Sequence, residues 1–154
     1  MAKNSSFYAS AYHALHGYSD ALKRERNLRF HTAVANLICF FAYHYKISSA
    51  EWAILIITIA AVISCELLNS AVEKAVDTAT KQIRADAMHA KDFAAAATLV
   101  CAVAAVLVGV CLFGNISKIT AALLSIFTSV KAVIFLAFLL AADIFILFIN
   151  YFRK

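Results

Sequence analysis

The polar positions of this chain are rationed, and the gaps between them set its architecture. No Asp, Glu, Lys or Arg falls between His31 and Tyr45, from Trp52 to Cys65, or from Phe93 to Ser117. Beyond that point only Lys118, Lys131 and Asp143 interrupt the apolar sequence before Arg153-Lys154. A helix rising 1.5 Å per residue needs about 20 mostly apolar residues to cross a hydrocarbon core of about 30 Å. The gaps therefore predict spans at about 30–47, 51–72 and 93–114. The stretch 119–152 would be about 51 Å long as one helix, too long for a single crossing. A fourth, C-terminal span is expected at about 132–152, with 116–130 as an interfacial or short re-entrant piece. Ahead of the first span, Phe7, Ala11, Ala14, Leu15, Tyr18 and Leu22 recur at spacings of three and four. That spacing predicts an amphipathic helix over about 7–22, lying on the membrane surface.

Composition agrees with an all-α integral membrane protein. Of 154 residues, 64% are hydrophobic, only 15% are charged and none is proline. Soluble domains run nearer 45–50% apolar and about 25% charged, so disorder, collagen-like repeats and a disulfide-stapled secreted scaffold are excluded. The N-terminus lacks the apolar core and cleavage site of a removable signal, because the first apolar run begins after residue 30. Cys39, Cys65, Cys101 and Cys111 sit inside apolar runs without a C-x-x-C pair, and are read as packing residues.

The sign of the charge then orients the chain. Lys and Arg in short loops mark the cytoplasmic side. Five of them (Lys3, Lys23, Arg24, Arg26, Arg29) precede the first span and four (Lys74, Lys81, Arg84, Lys91) follow the second, against one, Lys46, in the turn between. The N-terminus and the 74–92 loop are expected in the cytoplasm, and a fourth span would return Arg153-Lys154 there. Topology and anionic lipid account for the net charge of +5, and no nucleic-acid partner is needed.

The acids carry the candidate chemistry. At 100° per residue, Glu66, Asn69, Glu73 and Asp77 share an arc of about 80° on one helix face. Glu66 follows fourteen uncharged residues, so it lies within the membrane boundary. A row of like charges there is costly unless a cation offsets it. Holding a divalent metal beside phosphates, or accepting a proton at the membrane surface, would justify the row. The bland alternative puts Glu73 and Asp77 on a solvated face, paired with Lys74 and Lys81. Glu25, alone among basic residues before the first span, and Lys91-Asp92 before the third can reach the same depth. Carboxylates plus a lysine suit phosphoryl transfer, where catalysis is metal, cation and positioning. With three glycines in all (Gly17, Gly109, Gly114) the chain has no Gly-rich phosphate loop, which excludes a soluble-type nucleotide fold.

Taken together, Glu66-Leu-Leu-Asn69-Ser70-Ala71-Val-Glu73-x-x-x-Asp77, followed by Ala90-Lys91-Asp92, resembles the bacterial integral-membrane diacylglycerol kinase family, which includes the undecaprenol kinases. Glu25-Arg26-Asn27-x-Arg29-x-His31 is similar to its undecaprenol-kinase-like branch. The similarity runs from about residue 11 to 113. It makes 1–114 a membrane lipid kinase domain and leaves 115–154 as an extra hydrophobic segment. The resemblance implies a homotrimer of the bacterial inner membrane with active sites shared between neighbours. It implies transfer of the ATP γ-phosphate to the hydroxyl of diacylglycerol or undecaprenol. It implies Glu66 as general base, Glu25 and Glu73 as Mg²⁺ ligands, and Asn69 as the orienting residue. Asp77, Lys91 and Asp92 would meet the nucleotide together with Glu25 and Glu73. The family's histidine near Gln82–Arg84 is Arg84 here, and the basic residue before the N-terminal glycine is His16, so no base or lipid contacts are carried over at those places.

Several smaller features are weighed against that reading. Tyr43, Tyr45 and Trp52 suit an aromatic belt at the outer turn. His13, His16 and His31 lack metal spacing and read as surface-facing. Asp143 reads as a structural acid that pairs with another helix or a lipid. Two rival classes remain: a non-enzymatic membrane interaction or ion-binding protein using the same carboxylate face, and a small transporter. The transporter is disfavoured because the acids fall at span ends and not at the bilayer midplane.

Overall fold

The computed structural model describes residues 7–79 and 84–148. Expectations involving Lys3, Lys81, Gln82, Arg153 and Lys154 lie outside the described residues. Six helices follow one another: α1 (Phe7–Arg24), α2 (Arg26–Tyr45), α3 (Ser49–Ala79), α4 (Ala85–Phe113), α5 (Ile116–Thr128) and α6 (Val130–Phe148). Among the described residues there is no strand.

Among the described residues three helices are long and apolar enough to cross a membrane: α3, α4 and α6. The expected span at 30–47 corresponds to α2. Arg26, Asn27, Arg29, His31, Asn36 and His44 keep α2 from reaching the same hydropathy. It packs instead against α3, α5 and α6, with His31, His44 and Asn36 turned toward them in that order. At 31 residues α3 is about 46 Å long, well beyond a core of about 30 Å. The surplus is its charged C-terminal end, so the acid row belongs to one unbroken helix. Likewise α4 starts at Ala85 and not near residue 93, which places His89, Lys91 and Asp92 on helix.

The helix ends follow from local chemistry. Ser48 and Glu51 form a capping box for α3: the Ser48 N–H donates to Glu51 Oε2 at 2.6 Å and the Glu51 N–H to Ser48 Oγ at 3.3 Å. At the end of α2, Lys46 is left-handed (φ 59°), the one non-glycine with positive φ among the described residues. Its N–H donates to the Tyr43 carbonyl, and that of Ile47 to the Ala42 carbonyl, the double bond pattern of a Schellman turn. Gly114 closes α4 where a Cβ would stand 2.8 Å from the Val110 carbonyl oxygen.

The bundle has two unlike ends. At one, Ala42, Tyr45, Ile47, Leu55 and Ala122 form a buried cluster packed by Trp52 and Phe113, with α5 laid against the end of α2. Tyr45 is buried there, edge-on to Phe113, and its hydroxyl accepts the Asn115 N–H. It is therefore a core residue and not part of an aromatic belt, because α5 covers it. Tyr43 remains exposed. At the other end lie the charges. Cys65 and Cys101 meet between α3 and α4 as free thiols, sulfurs 3.0 Å apart.

The amphipathic α1 has no buried residue and leaves Phe7, Tyr8, Tyr12 and Leu15 exposed, a face suited to a headgroup layer. Its last turn is fastened to α2. Arg29 is buried, and its Nη1 donates to the Leu22 and Lys23 carbonyls at 3.2 Å each. Those are among the terminal carbonyls that α1 cannot satisfy itself. On the exposed side Arg24 donates to Asp20 at 2.9 Å, and that hydrogen bond holds the Asp20 carboxyl below its ordinary value.

Candidate active site

The carboxylate row climbs out of the protein along α3. Glu66 is buried, Asn69 and Glu73 are half-buried, and Asp77 is exposed. One face of one helix therefore runs from a dry end at Glu66 to a wet end at Asp77. That gradient follows from the length of α3, which carries the row out of the apolar layer over about 16 Å.

Four contacts organise the row. Glu66, 4% exposed, has its Oε1 3.4 Å from Nε2 of His31. Asn69 Nδ2 donates to Glu73 Oε1 at 3.1 Å. Lys74 Nζ stands 2.8 Å from Glu25 Oε1. Lys91 of α4 pairs with Asp77. Glu25 occupies the single extended residue between α1 and α2 (φ −96°, ψ 115°), which is what lets its side chain reach α3. Glu25, Glu66, Asn69, Glu73, Asp77 and Lys91 are thus tied into one end of the fold by α2, α3 and α4. Asp92 is exposed on α4, and among the described residues no hydrogen bond or ion pair joins it to the others.

The pairings differ from the solvated-face alternative. Lys74 goes to Glu25 across helices and not to its neighbours on α3, and Lys91 takes the partner expected of Lys81. His31 is the residue that sequence reading missed. It was expected at the surface, but its side chain is only 22% exposed and meets Glu66 across α2 and α3. No spacing rule finds a partner 35 positions away on another helix. Beside His31 an apolar cleft of about 120 Å³ opens between α2, α3 and α4, lined by Val34, Ile38, Val62 and Phe113 among others.

The donor set can be tested against a metal. Among the described residues no three His, Cys, Asp or Glu side chains gather closely enough to form a metal site by themselves. Mg²⁺, however, is commonly held by one or two carboxylates, with water and phosphate completing its shell. Asn69 Oδ1 is buried without a hydrogen-bond partner, beside the Glu73 carboxylate. An orphaned hard oxygen next to a carboxylate fits a hard cation, and Glu25 already holds a cation in the form of Lys74.

Comparison with known proteins places this arrangement. A family model described as prokaryotic diacylglycerol kinase matches residues 12–113. The chain is 36% identical over 107 residues to the undecaprenol kinase of Bacillus subtilis, covering 70% of this chain and 87% of that protein. It is 39% identical over 97 residues to the diacylglycerol kinase of Synechocystis sp., covering 62% of this chain and 55% of that protein. No solved structure matches it significantly. The matched span holds nearly all of α1, the whole of α2, α3 and α4, and every residue of the carboxylate cluster, and on that match the chain belongs to the prokaryotic diacylglycerol kinase family.

Proposed function

We propose that this protein is an ATP- and Mg²⁺-dependent lipid kinase that phosphorylates the hydroxyl of a membrane lipid, diacylglycerol or undecaprenol. The observation that carries the reading is Glu66: a carboxylate buried at the inner end of the row, facing His31, which itself lines an apolar cleft. A lipid chain in that cleft would bring its headgroup hydroxyl to the buried end, while nucleotide phosphates stay at the wet end.

Glu66 accepts the proton of the lipid hydroxyl as its oxygen bonds to the γ-phosphorus. The bond from that phosphorus to the β–γ bridging oxygen breaks, and ADP leaves. His31 fixes the orientation of Glu66. Asn69 orients Glu73, and Glu73 with Glu25 would hold Mg²⁺. When bound, that ion screens the negative charge of the phosphates. Were Glu25 to hold the ion, Lys74 would be released from it and could face phosphate. Lys91, held ready by Asp77, supplies a second cation to the nucleotide, and Asp92 contacts the nucleoside. The site works at the cytoplasmic face of a bacterial inner membrane, in a homotrimer whose neighbours complete each site. Residues 1–114 form the kinase unit, with α2 as a span alongside α3 and α4. Residues 115–154 add the fourth span.

Undecaprenol is the favoured acceptor. The Glu25-Arg26-Asn27 segment and the fuller coverage of the undecaprenol kinase relative support it. The test is a side-by-side assay in mixed micelles with ATP, Mg²⁺ and each lipid. Phosphorylated undecaprenol in excess over phosphatidic acid is expected. No phosphorylation of either lipid by intact protein would refute the kinase, and a preference for diacylglycerol would reverse the acceptor.

A further inference from the structure

A second polar end lies opposite the carboxylate cluster, and none of the chemistry above uses it. Between α2 and α6 runs a cavity of about 750 Å³, within the range of ligand sites. It extends about 12 Å along α2, from His44 to Asn36. Its walls are apolar, with Cys39 and Phe40 facing Phe135 and Leu139, and Phe40 stacked on Phe135 at 5.7 Å. Its head is polar and basic, with His44, Ser129 and Lys131. Two adjoining cavities of about 420 and 260 Å³ share His44 and add Lys46 and Lys118.

Charge decides what fits. Three lysines and a histidine surround the head, and none of the three lysines forms an ion pair among the described residues. Lys118 lies instead over the Tyr45 ring. Among the described residues the only acid at this end is Glu51; it caps the start of α3 through Ser48 and feels the charge of Lys118, which leaves Lys46 and Lys131 without an acid. A second copy of the chain does not complement this head. Copies in one membrane stand the same way up, so lysines would meet lysines while the carboxylates lie at the far end. An apolar channel ending in a net positive head, with Lys131 and Lys46 in no ion pair among the described residues, complements an acyl or prenyl chain that ends in phosphate.

We infer that the groove between α2 and α6 is a second lipid site, for a phosphate-headed anionic membrane lipid in the leaflet opposite the carboxylate cluster. The chain of the lipid lies along Phe40, Phe135 and Leu139, and its phosphate meets Lys131 and His44. The site does not depend on the acceptor assigned above, nor on the kinase reaction.

The test uses the full chain in bilayer nanodiscs of phosphatidylcholine doped with a phosphatidic acid that carries a photoreactive acyl chain. Labelled peptides are mapped by mass spectrometry, so a lipid in this groove is separated from one near Glu66. Labelling within 130–148 is expected, at least about fivefold above that by the matching phosphatidylcholine probe. It should fall by a similar factor in Lys131→Gln and His44→Gln, and persist in Glu73→Gln and against excess inorganic phosphate. Because Lys131 is exposed, its substitution leaves the fold intact. Equal labelling by both probes, labelling unchanged in Lys131→Gln, labels confined to α3 and α4, or displacement by free phosphate would each overturn the inference. So would cross-links joining this groove to a second copy of the chain.

Discussion

Two carboxylates in this chain are almost inaccessible, Glu66 at 4% and Asp143 at 3% exposure, and both are met by α2. Glu66 faces a histidine at the charged end of the bundle. Asp143 faces an amide: Asn36 Nδ2 donates to its Oδ1 at 2.8 Å, while Oδ2 is buried without a partner. Burial costs both acids their hydration, yet the two solutions differ in kind. On the proposed function Glu66 belongs to the reaction, because it starts the row of polar side chains that runs out to Asp77. Asp143 has no such row beside it, and its amide partner joins one helix to another. The surroundings, more than the burial, separate the two acids.

The sharpest way to break this contrast is to neutralise each acid without changing its shape. Glu66→Gln should lower phosphotransfer by about 10²–10⁴, the range for loss of a general base, whereas Asp143→Asn should leave it within a few-fold. Equal losses would erase the distinction. His31→Gln comes next. Loss of orientation at Glu66 should reduce kcat by up to about 10²-fold, with KM for ATP little changed, because the nucleotide end of the row is untouched. An unchanged kcat would make the His31–Glu66 contact incidental.

The architectural pair is tested through stability. Asn36→Leu leaves Asp143 without its donor and should cost about 1–3 kcal/mol in denaturant unfolding, with activity per folded molecule retained. Stability equal to the wild type would show that Asp143 has another partner. Lys46→Gly, at the left-handed turn, should raise stability by up to about 1 kcal/mol by removing the Cβ strain of that conformation. At the bottom of the scale, Asp20→Asn should leave the melting temperature unchanged, since its pair with Arg24 is solvent-exposed.

Much of the architecture could be read in advance because charges are scarce. The gap from Trp52 to Cys65 marks α3, the gap from Phe93 to Ser117 marks most of α4, and the length of 119–152 requires the break that occurs at Ser129. The row from Glu66 to Asp77 was legible for the same reason, since four polar residues on one helix face stand out against an apolar background. Contacts between helices were not legible. His31 and Glu66 are 35 positions apart, and Asn36 and Asp143 are 107 apart. No periodicity within a helix encodes which residue of a neighbour it will face. Tyr45 was misplaced for a related reason: α5 covers it, and α5 is a helix whose docking site the sequence does not name. Arg29 reads as one more basic residue before a span, yet its guanidinium closes the last turn of α1.

The pairing of Asn36 with Asp143 also bears on how the chain enters a membrane during synthesis. An acid at mid-helix adds about 2.5–3.5 kcal/mol to the cost of inserting that helix alone. The donor that offsets part of this cost is made 107 residues earlier, on a helix already in place when α6 emerges. A correctly seated α2 thereby eases the entry of α6. A chain whose first helices went in wrongly would carry an unpaired acid inside its last one.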